Sequence, residues 1–274
     1  MQPAAGRAGD APAWIDLHTH ILPAMDDGAS DLDEALEMAR IAQNGGIAWV
    51  VATPHNMDWP AGDHRPIVDE AVQALNQAIR RAGLRVTVLP GVEAYVVPDM
   101  TQQVKTGRAF PLGSGNYVLL ELPASAYPLY TDQAIFELQV MGLSVILAHP
   151  ERNAQIMETP ERLIPLIERG VLVQVTAASI LGEFGRDVQR TTQALLRGRL
   201  AHVIASDAHG GRFRRPELAA AVEAAGALVG PEAALAMVTT VPQAILTGDA
   251  VEAEAPRPAR AGRKGFWSRL FSGR

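Results

Sequence analysis

Seven short apolar runs mark the chain between residues 14 and 209: 14–20 (WIDLHTH), 48–55 (AWVVATPH), 85–97 (RVTVLPGVEAYVV), 117–122 (YVLLEL), 144–149 (SVILAH), 172–176 (LVQVT) and 202–209 (HVIASDAH). They are rich in Val, Ile and Leu and bounded by polar or turn-forming residues, so each predicts a strand. Between them, apolar residues recur every three or four positions over 30–44, 67–81, 131–141, 160–169 and 187–197, which predicts helices. Ser30 and Asp31 offer side-chain oxygens to cap the first helix, Gly45-Gly46 stops it, and Gly142 and Gly170 end two more. Strands alternating with helices predict βαβ units and a parallel sheet.

Periodicity does not choose between a closed barrel and an open doubly wound sheet. The polar residues do, because they fall at the C-terminal end of run after run. A barrel gathers those ends around one mouth, where barrel active sites sit, whereas an open sheet spreads them along an edge. The expected organisation is therefore a flexible N-terminus over 1–13, a barrel domain over 14–248, and a linker and tail over 249–274.

Charge adds a division that the hydrophobic pattern does not show. Six of the 24 Lys and Arg residues lie after Glu254, where no acid occurs; the other 18 face 30 Asp and Glu, so the body carries −12 and the tail +6. An acidic body is a poor nucleic-acid binder. Cysteine is absent, which excludes disulfides, thiolate metal sites and a cysteine nucleophile. Residues 1–13 lack the apolar core of a signal peptide and no apolar run is long enough to span a bilayer, so the expected compartment is the cytoplasm.

The chemistry is concentrated at the strand ends. In 14–20, alternation places Asp16, His18 and His20 on one face and Ile15 and Leu17 on the other. Two histidines two apart on a strand can reach one metal ion, and Asp207 with His209 repeats the spacing. Alone, such a pair is as readily explained by hydrogen-bonded structural histidines. Two further runs then end in His55 and His149, two others contain Glu93 and Glu121, and Asp26 and Asp27 follow the first. Buried groups of this kind are rare without partners, so chance convergence is a poor account. Imidazole and carboxylate without thiolate suit Mn, Fe or Zn, and so many ligands suggest more than one ion. Arg152 follows His149 by three residues, and Arg212, Arg214 and Arg215 follow His209 in HGGRFRRP; Arg152 and Arg215 are favoured as phosphate-binding groups over solvated loop arginines.

In this order, HTH, MDDG, TPH, GVEAY, LLELP, AHPER and SDAH resemble the PHP (polymerase and histidinol phosphatase) superfamily, and DDG, HPER and SDAH resemble its bacterial capsular-polysaccharide-type protein tyrosine phosphatases. The resemblance spans about Trp14 to Gly248. It implies a distorted (β/α)7 barrel with two to three divalent ions, manganese foremost. By position, His18, His20, Glu93 and Asp207 would bind a first ion; Glu93 would bridge to a second with Glu121 and His149; Asp27, His55 and His209 would bind a third. Asp26 receives no ligand role. Arg152 would bind phosphate, as would Arg215, with Arg214 as the alternative because one extra residue separates SDAH from the Arg-Pro pair. The implied reaction is in-line attack of a metal-bound hydroxide on phosphotyrosine, with Asp207 and His209 at the catalytic centre. The implied partner is a membrane-bound tyrosine kinase of capsule or exopolysaccharide synthesis.

Other histidines and tyrosines are expected to be structural. His64 reads as an exposed loop residue, His202 lies at the strand end opposite the site, and Tyr95, Tyr127 and Tyr130 read as packing or rim residues. Asp16 is expected to orient a histidine. Competing functions are hydrolysis of a small ester such as histidinol phosphate and a non-catalytic kinase-binding scaffold. A metal-dependent amidohydrolase or deaminase is disfavoured by the arginines and the ligand count. In 263–274, Phe266, Trp267, Leu270 and Phe271 share one helical face with basic residues around it, which suggests peripheral contact with an anionic membrane.

Overall fold

The computed structural model describes residues 13–252 and 255–257, so the tail over 263–274 lies outside the described residues. Eight parallel strands form the framework: β1 (Trp14–Thr19), β2 (Ile47–Ala52), β3 (Thr87–Pro90), β4 (Glu93–Tyr95), β5 (Tyr117–Glu121), β6 (Ser144–Ala148), β7 (Leu172–Thr176) and β8 (Val203–Ala205). Strands β1-β2-β3 form one sheet in that order, and β4-β5-β6-β7-β8 another. Parallel bridges close the pair into a barrel: Thr19 with Ala208 joins the ends of β1 and β8, and His55 with Glu93 joins the end of β2 to β4. The run over 85–97 is thus one stave broken in two, giving seven staves from eight strands. Gly91 sits in the break, where a Cβ would lie 2.7 Å from Leu112 Cδ2 and 2.8 Å from Val51 Cγ1, so the chain steps through a gap that admits no side chain.

Two apolar layers hold the barrel. Inside it, Ile15, Leu17, Val51, Leu89, Leu119, Ile146, Leu172 and Val203 pack with Ile245 and Leu246 from the helix Thr240–Thr247. That helix closes the end opposite the site, where Ile15 N–H also donates to Val238 O (2.8 Å). Outside, the alternate strand residues Val50, Val88, Val118, Leu120, Val145, Leu147, Val173 and Ile204 pack against helices. The two-residue period on β5, β6 and β7 thus separates barrel filling from helix packing.

Strand β1 departs from simple alternation. Its pairing with β2 has an irregularity between Asp16 and Thr19, the mark of a bulge. Ile15 and Leu17 belong to the interior layer, yet His18 also reaches Gln174 across the barrel. The expected opposition of Ile15 and Leu17 to the histidines is corrected accordingly: the bulge lets apolar filling give way to ligands within one turn of chain.

The helix Leu32–Asn44 starts where Asp31 Oδ1 accepts from Glu34 N (2.9 Å), while Glu34 Oε2 accepts from Ser30 N (3.0 Å) and Ser30 Oγ (2.8 Å). This reciprocal cap contributes about 1 kcal/mol. The helix expected over 160–169 is instead a 3-10 turn, Pro160–Leu163, followed by one short helix, Ile164–Ile167, because Pro160 and Pro165 each remove a backbone donor.

Candidate active site

At the C-terminal mouth, the nine carboxylates and imidazoles singled out in the sequence come together. Ligand-capable atoms lie within 4.8 Å of one another in four overlapping groups: His18, His20 and Asp207; His18, Glu93 and His149; His55, Glu93 and Glu121; and His20, Asp27, His55 and His209. His18, His20, Glu93 and Asp207 are buried, while Asp27 is exposed at the rim. Glu93 is central. Its Oε1 lies 2.7 Å from His149 Nε2, and its Oε2 lies 3.2 Å from His18 Nε2, 3.4 Å from His20 Nε2 and 3.1 Å from His55 Nδ1.

The donor set tests whether cations fit here. Glu93 Oε2, Asp207 Oδ1 and His55 Nδ1 are buried without a hydrogen-bond partner although ring nitrogens and oxygens crowd around them. Three rings are held so that one nitrogen remains free for the centre. His18 Nδ1 donates to Gln174 Oε1 (3.0 Å), His20 Nδ1 to Asp26 Oδ2 (2.6 Å) and His209 Nδ1 to the Asp207 carbonyl (3.0 Å). Each Nε2 lone pair then points to where the carboxylates converge, the arrangement by which ligating histidines are oriented. Burial opposes charge on Glu93, but His18 and His149 hold its carboxyl well below the usual range. Burial and the Glu93 carboxylate push Glu121 up to about 7, while burial and His20 push His209 down to about 4, which keeps the His209 imidazole neutral. Carboxylate oxygens and imidazole nitrogens converging on unpartnered buried atoms fit divalent cations.

Asp207 joins this cluster to the arginines. Its Oδ1 faces His18 and His20 at 3.3 and 3.4 Å, whereas its Oδ2 receives Arg152 Nη1 (2.7 Å) and Arg214 Nη2 (2.5 Å). Burial resists charge on Asp207, but His18, His20 and Arg152 keep its pKa well below that of an ordinary aspartate. Arg152 Nη2 also donates to Thr176 Oγ1 (2.7 Å), and both guanidiniums lie over the Phe184 ring, at 4.2 Å for Arg152 and 5.9 Å for Arg214.

Of the two arginines weighed for phosphate, Arg214 is the one placed at Asp207. His209 N–H donates to Arg214 O (2.9 Å), closing the loop back on the strand end, and Arg214 has φ +48°. That turn returns the Arg214 side chain to Asp207 and sends Arg215 outward to Glu217 (3.2 Å). Left-handed non-glycine residues gather at this mouth: His149, Asp207 and Arg214 are three of the five among the described residues. Such backbone is costly and persists where packing and contacts enforce it.

The expectations for Asp16 and His64 need revision. Asp16 Oδ1 accepts from the backbone N–H groups of Ser206 (2.9 Å) and His18 (3.5 Å), not from a ring nitrogen, tying β1 to the segment after β8. His64 is buried rather than exposed, with its ring 4.6 Å from that of Trp59. His202 Nδ1 accepts from Val173 N (3.1 Å), and Tyr127 packs under Arg162 with its hydroxyl on Asp132. Gln174, Thr176 and Phe184 carry contacts that the strand-end reading did not reach. The polar Gln174 within LVQVT was a usable signal; nothing local distinguished Phe184.

The model of the family described as "Capsular polysaccharide synthesis, CpsB/CapC" matches residues 14–247. The chain belongs to this family. It is 38% identical over 200 residues to the tyrosine-protein phosphatase YwqE of Bacillus subtilis, covering 73% of this chain and 79% of that protein. It is 24% identical over 212 residues to the tyrosine-protein phosphatase CpsB of Streptococcus agalactiae, covering 76% of this chain and 87% of the relative. A crystal structure from work on YwqE and Streptococcus pneumoniae CpsB, described as metal-dependent tyrosine phosphatases, superimposes with a TM-score of 0.84 at 33% identity, covering 90% of this chain and 99% of that one. A D-aminoacylase of the amidohydrolases shares the fold at 12% identity, with a TM-score of 0.53 over 89% of this chain and 77% of its own.

Proposed function

We propose that this CpsB/CapC family chain is a divalent-metal-dependent protein tyrosine phosphatase whose substrate is a tyrosine kinase of capsule or exopolysaccharide synthesis. The observation that carries this reading is the meeting, at Asp207, of a buried His/Asp/Glu cluster with two arginines. His18, His20, Glu93 and Asp207 would hold one ion; Glu93, Glu121 and His149 a second; and Asp27, His55 and His209 a third, with manganese the metal we assign. When bound, such ions supply Lewis acidity and make water a nucleophile at neutral pH.

The chain's own groups do the rest. Arg152 and Arg214 present planar forks suited to phosphoryl oxygens, and Asp207 Oδ2, Thr176 and Phe184 hold them in place beforehand. Gln174, Asp26 and the Asp207 carbonyl fix which ring nitrogens face the site. Tyrosinate, whose conjugate acid has a pKa of about 10, leaves with little help from a general acid. Phosphoryl transfer depends chiefly on positioning and charge neutralisation, which this mouth provides.

The test is hydrolysis of a phosphotyrosyl peptide by metal-stripped protein, by protein resupplied with manganese, and by the variants His209→Ala and Arg214→Ala. We expect activity only with metal, a loss of about a hundredfold or more in Arg214→Ala, and a still larger loss in His209→Ala. A folded, metal-replete protein without turnover would overturn the reading.

A further inference from the structure

Beside the arginines lies a hollow of about 480 Å³, bounded by the helix Ala177–Leu181 on one side and the 212–215 loop on the other. Arg214 belongs to both places: its guanidinium reaches Asp207, and the residue also lines the hollow. The rest of the wall includes Ala178, Leu181 and Phe213, with the acids Glu183 and Glu217 and the further arginines Arg212 and Arg215 at its edge. Phe213 is 86% exposed and Leu181 41%, and Phe184, under the arginines, is 36% exposed. Apolar surface is thus gathered at one flank of a highly charged mouth. The loop that turns Arg214 inward leaves Phe213 outward, so one backbone turn sets both the anion-binding group and the apolar rim.

We propose that this hollow is a substrate subsite that receives an apolar side chain close in sequence to the phosphotyrosine; the proposal rests on the phosphatase reading above. A phosphoryl group held by Arg152 and Arg214 leaves the peptide backbone beside the 212–215 loop, because Arg214 is part of that loop. The volume exceeds that of one large side chain and lies in the range of small-ligand pockets. A Leu or Phe entering the hollow meets Leu181, Ala178 and Phe213, while Glu217 at its edge is already paired with Arg215 at 3.2 Å. The enzyme would therefore read the sequence around the phosphotyrosine and favour apolar neighbours.

The test uses full-length metal-replete protein and the variants Phe213→Ala and Leu181→Ser. The substrates are p-nitrophenyl phosphate and phosphotyrosyl peptides in which each flanking position carries Leu, Gly or Asp in turn. Burying a leucine side chain predicts that Leu exceeds Gly by about tenfold in kcat/KM at one or two positions. Either variant should erase most of that preference, mainly through KM, and leave p-nitrophenyl phosphate turnover unchanged. Failure of the parent protein on every substrate would strike the phosphatase reading itself. Normal turnover of p-nitrophenyl phosphate with indifference to the flanking residue, or a preference that survives both variants, would overturn the subsite alone.

Discussion

Two residues show how burial and pairing set behaviour at the smallest scale. Asp207 divides its oxygens between the histidines and the arginines, so Asp207→Asn removes charge from both sides at once. We expect kcat/KM on a phosphotyrosyl peptide to fall at least about a thousandfold, with metal content reduced in the same sample; full metal content would show that the Asp207 charge is not needed to hold the ions. His202, at the far end of the barrel, is pushed down to about 4 by burial. Its folded pKa lies below its ordinary 6.5, so the unfolded chain binds the proton more readily. Stability associated with neutral His202 is complete above pH 6.5 and is lost as pH falls towards 4, by up to about 3 kcal/mol. Denaturant unfolding should therefore show a shallower acid decline for His202→Gln than for the parent; parallel profiles would count against it. The clustering of the His, Asp and Glu side chains was legible because strand ends are where a barrel collects polar groups. The arginine was not, since the turn at Arg214 depends on a left-handed residue that composition does not announce.

At the scale of elements, strand alternation and helix periodicity located most of the framework, and local interruptions produced the misreadings. The bulge in β1 and the break at Gly91 both answer to three-dimensional crowding: one lets ligands follow barrel filling, the other slips the chain between Leu112 and Val51. The loop after β1 is equally constrained. A Cβ on Gly28 would stand 2.0 Å from His20 O and 2.4 Å from His20 Cβ, and Ala29 N–H donates to that same carbonyl (2.9 Å). Gly28→Ala should lift the loop from His20, displace Asp26 from its ring and lower stability by about 1–3 kcal/mol. Thermal unfolding beside a metal titration checks this: the variant should have both a lower Tm and weaker metal binding, and an unchanged metal affinity would separate the loop from the site.

For the whole molecule, closure of two sheets by the Thr19–Ala208 and His55–Glu93 bridges explains why groups from seven staves meet. The sequence supported a barrel through the placement of its polar residues, but the bridges that close it are individual backbone pairings with no pattern of their own. The charge split is a separate property of the chain. Among the described residues no helix is long and apolar enough to cross a membrane. With the body at −12 and the residues after Glu254 at +6, truncation after Glu254 should abolish sedimentation with anionic liposomes. Equal sedimentation of the full and shortened chains would remove the tail from any role at a membrane.

The division of Asp207 has a thermodynamic consequence beyond the loss expected on its removal. With Asp207 Oδ1 facing the histidines and Oδ2 the arginines, a cation bound among the histidines and an anion bound by the arginines would share one carboxylate, and their binding equilibria would be linked. Linkage is reciprocal: whatever factor inorganic phosphate imposes on the Kd for manganese, manganese must impose on the Kd for phosphate. An anion that draws Arg152 and Arg214 away frees charge on Asp207 for the cation, so the coupling should be positive. Product release and metal retention would then be opposed, and a chain that holds its metal more tightly would also be slower to let phosphate go.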